Sequence, residues 1–525
     1  MLRTIRILLA IFFFTSISLL FLDFTGTVND GVGWMAKLQL LPAVLSLNIA
    51  AFLGIVVTTL LMGRFYCSTL CPLGIFQDIV SWLAGKRKKN RFVWQAGGHG
   101  LRYSVLFLFC VLIVSAVGTS IYALALLIEP YSIFGRMVSQ FMAPVVLWVN
   151  NLFAFVANQM GGYLPGPVEL RPFNGAMFAI AAASLAILFV MAWRRGRLYC
   201  NSICPVGTML GLLSPLALFK PRIHNEQCVH CGLCEKNCKS SCIDSKRGLF
   251  DYSRCVVCGD CIKACKTHAI QFQLPQAKSS AVSVTPSEPA AKAVVSQSPG
   301  GKTKEKSQET ALARRGFLTT VLCLFAVKTV HAQTPKEEFT ERGDGGLAPL
   351  KDRGIPLRKT AIVPPGAASL RNFQRRCTAC QLCISACPNH VLQPSSHLKS
   401  MMRPEMSFEY GWCRPECTEC SQVCPTGAIQ FLSTADKSSQ KIGHSVWTKE
   451  HCIVLTDDVQ CDNCARHCPT EAIQMVLLDP NHPNSKKIPI VDDEKCIGCG
   501  ACEFLCPARP VSALHVEGHE RHRTI

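Results

Sequence analysis

Cysteine spacing constrains this chain more than any other feature. Of its 31 cysteines, 24 fall into six runs at mostly two- and three-residue intervals. That is the spacing of metal ligands, not of an apolar core. Small secreted disulfide scaffolds are also cysteine-dense, but they are short. This chain has 525 residues, 49% of them apolar, and several apolar runs near the length of a bilayer crossing. Its net charge of +19 could signal nucleic acid or membrane flanks. The basic residues cluster at the ends of the apolar runs, which implies membrane lipid as the partner and excludes nucleic acid.

Cys228, Cys231, Cys234 and Cys238, and then Cys255, Cys258, Cys261 and Cys265, both read C-x2-C-x2-C-x3-C. This is the two-cluster ferredoxin pattern, in which three thiolates cap one iron–sulfur cube and the fourth crosses to the other. On that rule Cys228, Cys231, Cys234 and Cys265 hold one 4Fe–4S cluster, and Cys255, Cys258, Cys261 and Cys238 hold the second. Zinc is the competing ligand, since paired C-x2-C motifs also make zinc sites. Lys239 and Lys266 stand where proline usually follows the fourth cysteine, and Cys242 is left over as a structural residue. Four more sets follow: Cys377, Cys380, Cys383 and Cys387; Cys413, Cys417, Cys420 and Cys424; Cys452, Cys461, Cys464 and Cys468; Cys496, Cys499, Cys502 and Cys506. Each ends C-x3-C-P, so sixteen thiolates suit four further 4Fe–4S clusters, six in all. Disulfides are the alternative for these sixteen if the segment lies outside the cytoplasm.

Four apolar stretches, 5–23, 41–62, 103–128 and 174–193, are expected to cross the membrane. Arg3 and Arg6 precede the first, Arg64, Lys86, Arg87, Lys88, Lys89, Arg91 and Arg102 follow the second, and Arg194, Arg195 and Arg197 follow the fourth. The positive-inside rule puts the N-terminus and the segment after residue 197 in the cytoplasm. Stretch 141–160 is also apolar, but Asn150 and Asn151 at its centre favour an interfacial or re-entrant piece. The segments 63–74 and 196–207 are repeats with seven of twelve positions identical, including Cys67 and Cys71 in one and Cys200 and Cys204 in the other. Two hairpins repeated in one orientation imply a pseudo-twofold axis along the membrane normal. Both C-x3-C-P pairs are then expected at the cytoplasmic mouth, as a cofactor-binding set for a further metal or cluster. Dithiol–disulfide cycling or two merely structural turns are the alternatives.

The domains read as a four-helix membrane domain at 1–223, a cytoplasmic two-cluster ferredoxin at 224–272 and a polar linker at 273–312. An internal signal or anchor at 313–333, an extended segment at 334–370 and a four-cluster polyferredoxin at 371–518 complete the chain. The fold class is membrane α-helical joined to α+β ferredoxin-like domains. Arg314-Arg315, a short apolar core and Val330-His331-Ala332 resemble a twin-arginine export signal, which would place the second ferredoxin domain in the periplasm of a bacterial inner-membrane protein. Cys323, inside that core, lacks the neighbours a lipidation site needs.

Taken together, residues 1–272 resemble the NapH family of membrane quinol-dehydrogenase components, and residues 313–518 resemble the exported NapG and MauM ferredoxins. The resemblance implies a fusion that takes electrons from the quinol pool and passes them to a periplasmic reductase. It also implies that the first C-terminal set shares cysteines with the fourth, so that Cys506 completes the cluster of Cys377, Cys380 and Cys383, and the second shares with the third. No haem attachment motif, Rossmann or P-loop glycine pattern and no substrate-transforming site is evident, so catalytic residues are not expected. An accessory factor that reduces, senses or matures a partner metalloenzyme is the alternative function.

Overall fold

The computed structural model describes residues 2–274 and 354–524, apart from 24, 88–91, 96–97, 116–124, 161–165, 169–173, 398–399 and 484. The linker, Arg314-Arg315, Cys323, Lys88, Lys89 and Arg91 lie outside the described residues. Seven longer helices build the N-terminal half: α1 (Leu2–Leu22), α2 (Ile49–Met62), α3 (Pro72–Arg87), α4 (His99–Ser115), α5 (Pro130–Gln159), α6 (Gly175–Arg195) and α7 (Pro205–Leu213). Local chemistry sets their ends. Asn48 and Asn174 cap α2 and α6 by accepting from the Ala51 and Met177 N–H groups, each at 3.1 Å. Gly63 and Gly196, at the same place in the repeat, end α2 and α6 with φ of 73° and 65°, a conformation that favours glycine.

Among the described residues three helices are long and apolar enough to cross a membrane: Arg3–Leu22, Pro130–Gln159 and Gly175–Arg195. The first and last match expected spans. Expected span 41–62 is broken at 46–48, where Leu47 has a φ of 56°, which separates Leu40–Leu45 from α2. A 14-residue helix such as α2 rises only about 21 Å against a hydrocarbon core of about 30 Å. Expected span 103–128 is helical to Ser115, and 116–124 lie outside the described residues. Stretch 141–160, expected to be interfacial, belongs to the continuous helix α5, which includes one π-helical turn at Val138–Met142. Its asparagines are not left bare: Asn150 Nδ2 donates to Gly166 O at 3.0 Å, and Asn151 exchanges two hydrogen bonds with the Val168 backbone.

Among the described residues ten strands form five antiparallel pairs; besides the two-residue pair of Ile243–Asp244 with Leu249–Phe250, they are β1 (Lys220–Ile223), β2 (Ile270–Gln273), β3 (Leu392–Pro394), β4 (Pro404–Met406), β5 (Gln440–Trp447), β6 (Ile473–Leu477), β7 (Lys487–Val491) and β8 (Leu514–Thr524). β1 pairs with β2 and closes the first cysteine module. β3 pairs with β4 and β6 with β7, each inside one half of the second module. β8 returns to β5 with Leu514 opposite Trp447 and ties those halves together.

The two modules sit at opposite ends of α1. Arg3 Nε at its start lies 2.9 Å from Asp260 of the first module. Past its end, the Glu419 carboxylate of the second module would lie 3.3 Å from a Cβ placed at Gly26. Helix α6 repeats this arrangement in reverse: Asn174 donates to Pro394 O at 3.3 Å, and the Arg197 N–H donates to Lys239 O at 2.9 Å. One continuous core joins Ile17 and Phe21 of α1, the four repeat cysteines, Tyr131, and Cys377, Cys380 and Cys383. The outward faces of the helices carry Leu8, Phe12, Leu53, Phe107, Trp148, Phe153 and Ile187, an apolar surface larger than a water-exposed protein normally shows.

Candidate iron–sulfur sites

In each module short helical turns and the loops before them turn the cysteine sulfurs toward a common cavity. One cavity is lined by Cys228, Cys231, Cys234 and Cys265, and another by Cys238, Cys255, Cys258 and Cys261. These are the two crossed sets expected from spacing. Cys242, expected to be structural, lines the second of these cavities as well, with its Sγ 3.5 Å from that of Cys238.

The second module corrects the pairing implied by resemblance. Cys377, Cys380 and Cys383 share a cavity with Cys424, and Cys413, Cys417 and Cys420 share one with Cys387. Cys496, Cys499 and Cys502 meet Cys468. Cys506, expected beside Cys377, packs instead with Cys452 and Cys461 and lies in electrostatic reach of Cys464. First set therefore pairs with second, and third with fourth. The reason is chain length: the hairpins β3–β4 and β6–β7 each fold one set back on the next, before the chain can reach a more distant set.

The donor sets fit iron–sulfur clusters. Each cavity presents four cysteine side chains from two sets to one small space. Burial pushes the Cys234 and Cys413 thiols up to about 11 and those of Cys377, Cys380, Cys464 and Cys499 to about 12, whereas the neighbouring Cys242 side chain draws Cys238 down to about 7 and Cys255 down as well.

The repeat cysteines form a different kind of site. Cys67, Cys71, Cys200 and Cys204 are between 3% and 5% exposed, interior rather than at an open mouth. Cys71 and Cys204 each lie in electrostatic reach of thiols from both repeats. Two fully buried arginines cross between the repeats: Arg197 Nη1 donates to Cys67 O at 2.5 Å, and Arg64 Nη2 donates to Cys200 O at 2.9 Å. Gly74 and Gly207, also equivalent, leave room for those guanidinium groups, since a Cβ at either would approach the arginine within 2.8 Å. Gln77 Nε2 donates to Cys200 Sγ at 3.2 Å. The sequence carried this signal, because both arginines and both glycines recur at matching positions, but it offered them only as charge and turn.

Each module is fastened to the helices. Asp78 of α3 receives Arg197 at 2.7 Å, Lys239 at 2.9 Å and Arg6 at 3.1 Å, and Lys239 also reaches Asp260 at 3.2 Å. At the other end Ser132 Oγ donates to Thr378 O at 2.7 Å, and Ser139 and Ser385 hydroxyls lie 3.2 Å apart. Gly135 is required there: a Cβ would lie 2.5 Å from Cys380 O and 2.7 Å from the Phe21 ring.

A family model described as a 4Fe–4S binding domain matches residues 46–90 and 176–224, and another of that description matches 249–271. A 4Fe–4S dicluster domain matches 376–428 and 459–509. The methylamine utilization ferredoxin-type protein MauM of Methylobacillus flagellatus is 34% identical over 167 residues, covering 31% of this chain and 70% of that protein. YccM of Escherichia coli is 28% identical over 207 residues, 38% of this chain and 48% of YccM. The ferredoxin-type protein NapG of Haemophilus influenzae is 32% identical over 169 residues, 30% of this chain and 57% of NapG. The chain thus spans about half the length of YccM and NapG. No solved structure matches it. With these cysteine-lined cavities and this similarity to MauM, the chain belongs to the family of ferredoxin-type iron–sulfur electron-transport proteins represented by MauM.

Proposed function

We propose that this chain is a transmembrane electron conduit, a fusion of a NapH-like membrane part with a NapG- and MauM-like ferredoxin, which takes electrons from the quinol pool and delivers them to a periplasmic reductase. The observation that carries this reading is the attachment of one module at each end of α1 and α6, helices of bilayer-crossing length. In that arrangement the first module faces the cytoplasm and the second the periplasm. Six cysteine cages hold six 4Fe–4S clusters, which supply one-electron chemistry with little rearrangement. The protein's own residues set spacing and environment: Lys239 and Asp78 fix the first module on the helices, and Ser132 and Gly135 seat the second against α5. The contacts of Ser132, Ser139 and Asn174 with the second module support a reading in which both ends of the 130–174 segment remain on the periplasmic side.

The test uses the full chain in proteoliposomes loaded with a reduced quinol under anaerobic conditions. Loss of the clusters' visible absorbance at a rate matching turnover of an added acceptor reductase is the expected result. Reduction that occurs only once per chain, with no sustained turnover, would replace the conduit with an assembly factor.

A further inference from the structure

The two segments matched by the 4Fe–4S binding model each carry only two cysteines, too few to hold a cluster alone. The fold brings the pairs together. All four cysteines lie in one buried core with Tyr66, Leu73, Tyr199, Val206 and Leu210. Each loop is held by the arginine of the opposite repeat, so neither pair is positioned without the other. The surroundings suit a net anionic guest. Arg64 and Arg197 are fully buried, and the donors Arg64 Nε and Arg197 Nη2 have no hydrogen-bond partner among the described residues. Arg64 Nη2 also lies 4.0 Å from Cys67 Sγ, and the Gly207 N–H donates to Cys204 Sγ at 3.3 Å. Arg197 already pairs with Asp78, but Arg64 is buried beside a thiol with no carboxylate partner among the described residues, a charge that thiolates and a cluster would balance.

We infer that Cys67, Cys71, Cys200 and Cys204 together ligate a seventh iron–sulfur cluster, shared between the two repeats on their pseudo-twofold axis. Its place in the molecule is between the modules. Arg64 Nη1 donates to Ser253 O of the first module at 3.1 Å. Toward the second module, the Tyr199 hydroxyl donates to Ile128 O at 2.6 Å, close to Tyr131 and Gly135, which pack against Cys380. The inference rests on the conduit reading for its purpose, but not for its existence.

Iron and acid-labile sulfide are counted on the anaerobically purified full chain beside Cys67→Ser, Cys200→Ser and the double Cys67→Ala/Cys200→Ala, with Mössbauer and electron paramagnetic resonance spectra. Expected is iron beyond the roughly 24 atoms of six cubes, and loss of about two or four atoms in the variants while the six ferredoxin signals persist. Equal iron in all four proteins overturns the inference. So does alkylation of all four thiols in the native holoprotein, or their recovery as disulfides after a denaturing quench. Gln77→Leu keeps every ligand and removes one hydrogen bond to sulfur, so it serves if the cysteine variants do not fold. One centre should then shift to a lower midpoint potential while six stay fixed, and a redox titration in which none moves overturns the proposal. Iron loss with quinol-linked reduction absent even in the unmodified protein would sink the conduit and leave this site standing.

Discussion

At the residue scale, Lys239 turns a departure from the ferredoxin pattern into a function. Proline at this position would have no charge to offer, whereas the ammonium group of Lys239 joins Asp78 to Asp260 across the seam between helices and first module. Asp78 is the centre of that network, and its removal would leave Arg197, Arg6 and Lys239 together without their shared anion. Breaking a buried pair of this kind typically costs about 3–5 kcal/mol. Asp78→Asn is therefore expected to lower the thermal unfolding temperature of the detergent-solubilised chain. Lys239→Pro, which restores the common residue, should free the first module to proteolysis and leave the second as resistant as before. If both variants melt and digest like the unmodified protein, the seam is held by something else. None of this was legible beforehand: sequence showed the lysine as an oddity next to a ligand, because its partner Asp78 lies more than 100 residues away on α3.

At the scale of elements, hairpins decide which cysteines share a cluster. A double variant removing two ligands of one cage should lose one cluster, and a double variant striking two cages should disturb two. Cys377→Ser/Cys424→Ser is thus expected to remove about four iron atoms and Cys377→Ser/Cys506→Ser about eight. The reverse pattern in iron analysis would restore the pairing of first set with fourth. The cysteine sets that line the cavities were legible, because each set is local and its spacing is chemically demanding. Pairing within residues 224–272 was legible too, since the crossed pattern needs only two adjacent sets. In the second module the same rule applied to neighbouring sets would have given the right answer, and analogy with distant relatives displaced it. The helices were read less well. Apolar length located α1 and α6, but not the break at Leu47 or the continuity of α5, which depend on a backbone kink and on Asn150 and Asn151 finding backbone partners.

At the scale of the whole molecule, the two modules hang from opposite ends of shared helices. Right-side-out vesicles should therefore expose residues near Arg371 to protease and protect those near Arg247, and lysines in place of Arg314 and Arg315 should leave both modules protected. Protection of the Arg371 region in the unmodified protein would put both modules on one side. Separation of the modules along α1, about 30 Å of helix, has an electrical consequence. On the proposed conduit reading, an electron that passes from the first module to the second carries its charge through the transmembrane field, worth about 2.3 kcal/mol per 100 mV. With the cytoplasm negative, outward flow runs downhill in that field and inward flow runs against it. On that reading the membrane potential biases the conduit through the helices that hold the modules apart: collapsing the potential should slow outward transfer and ease the reverse.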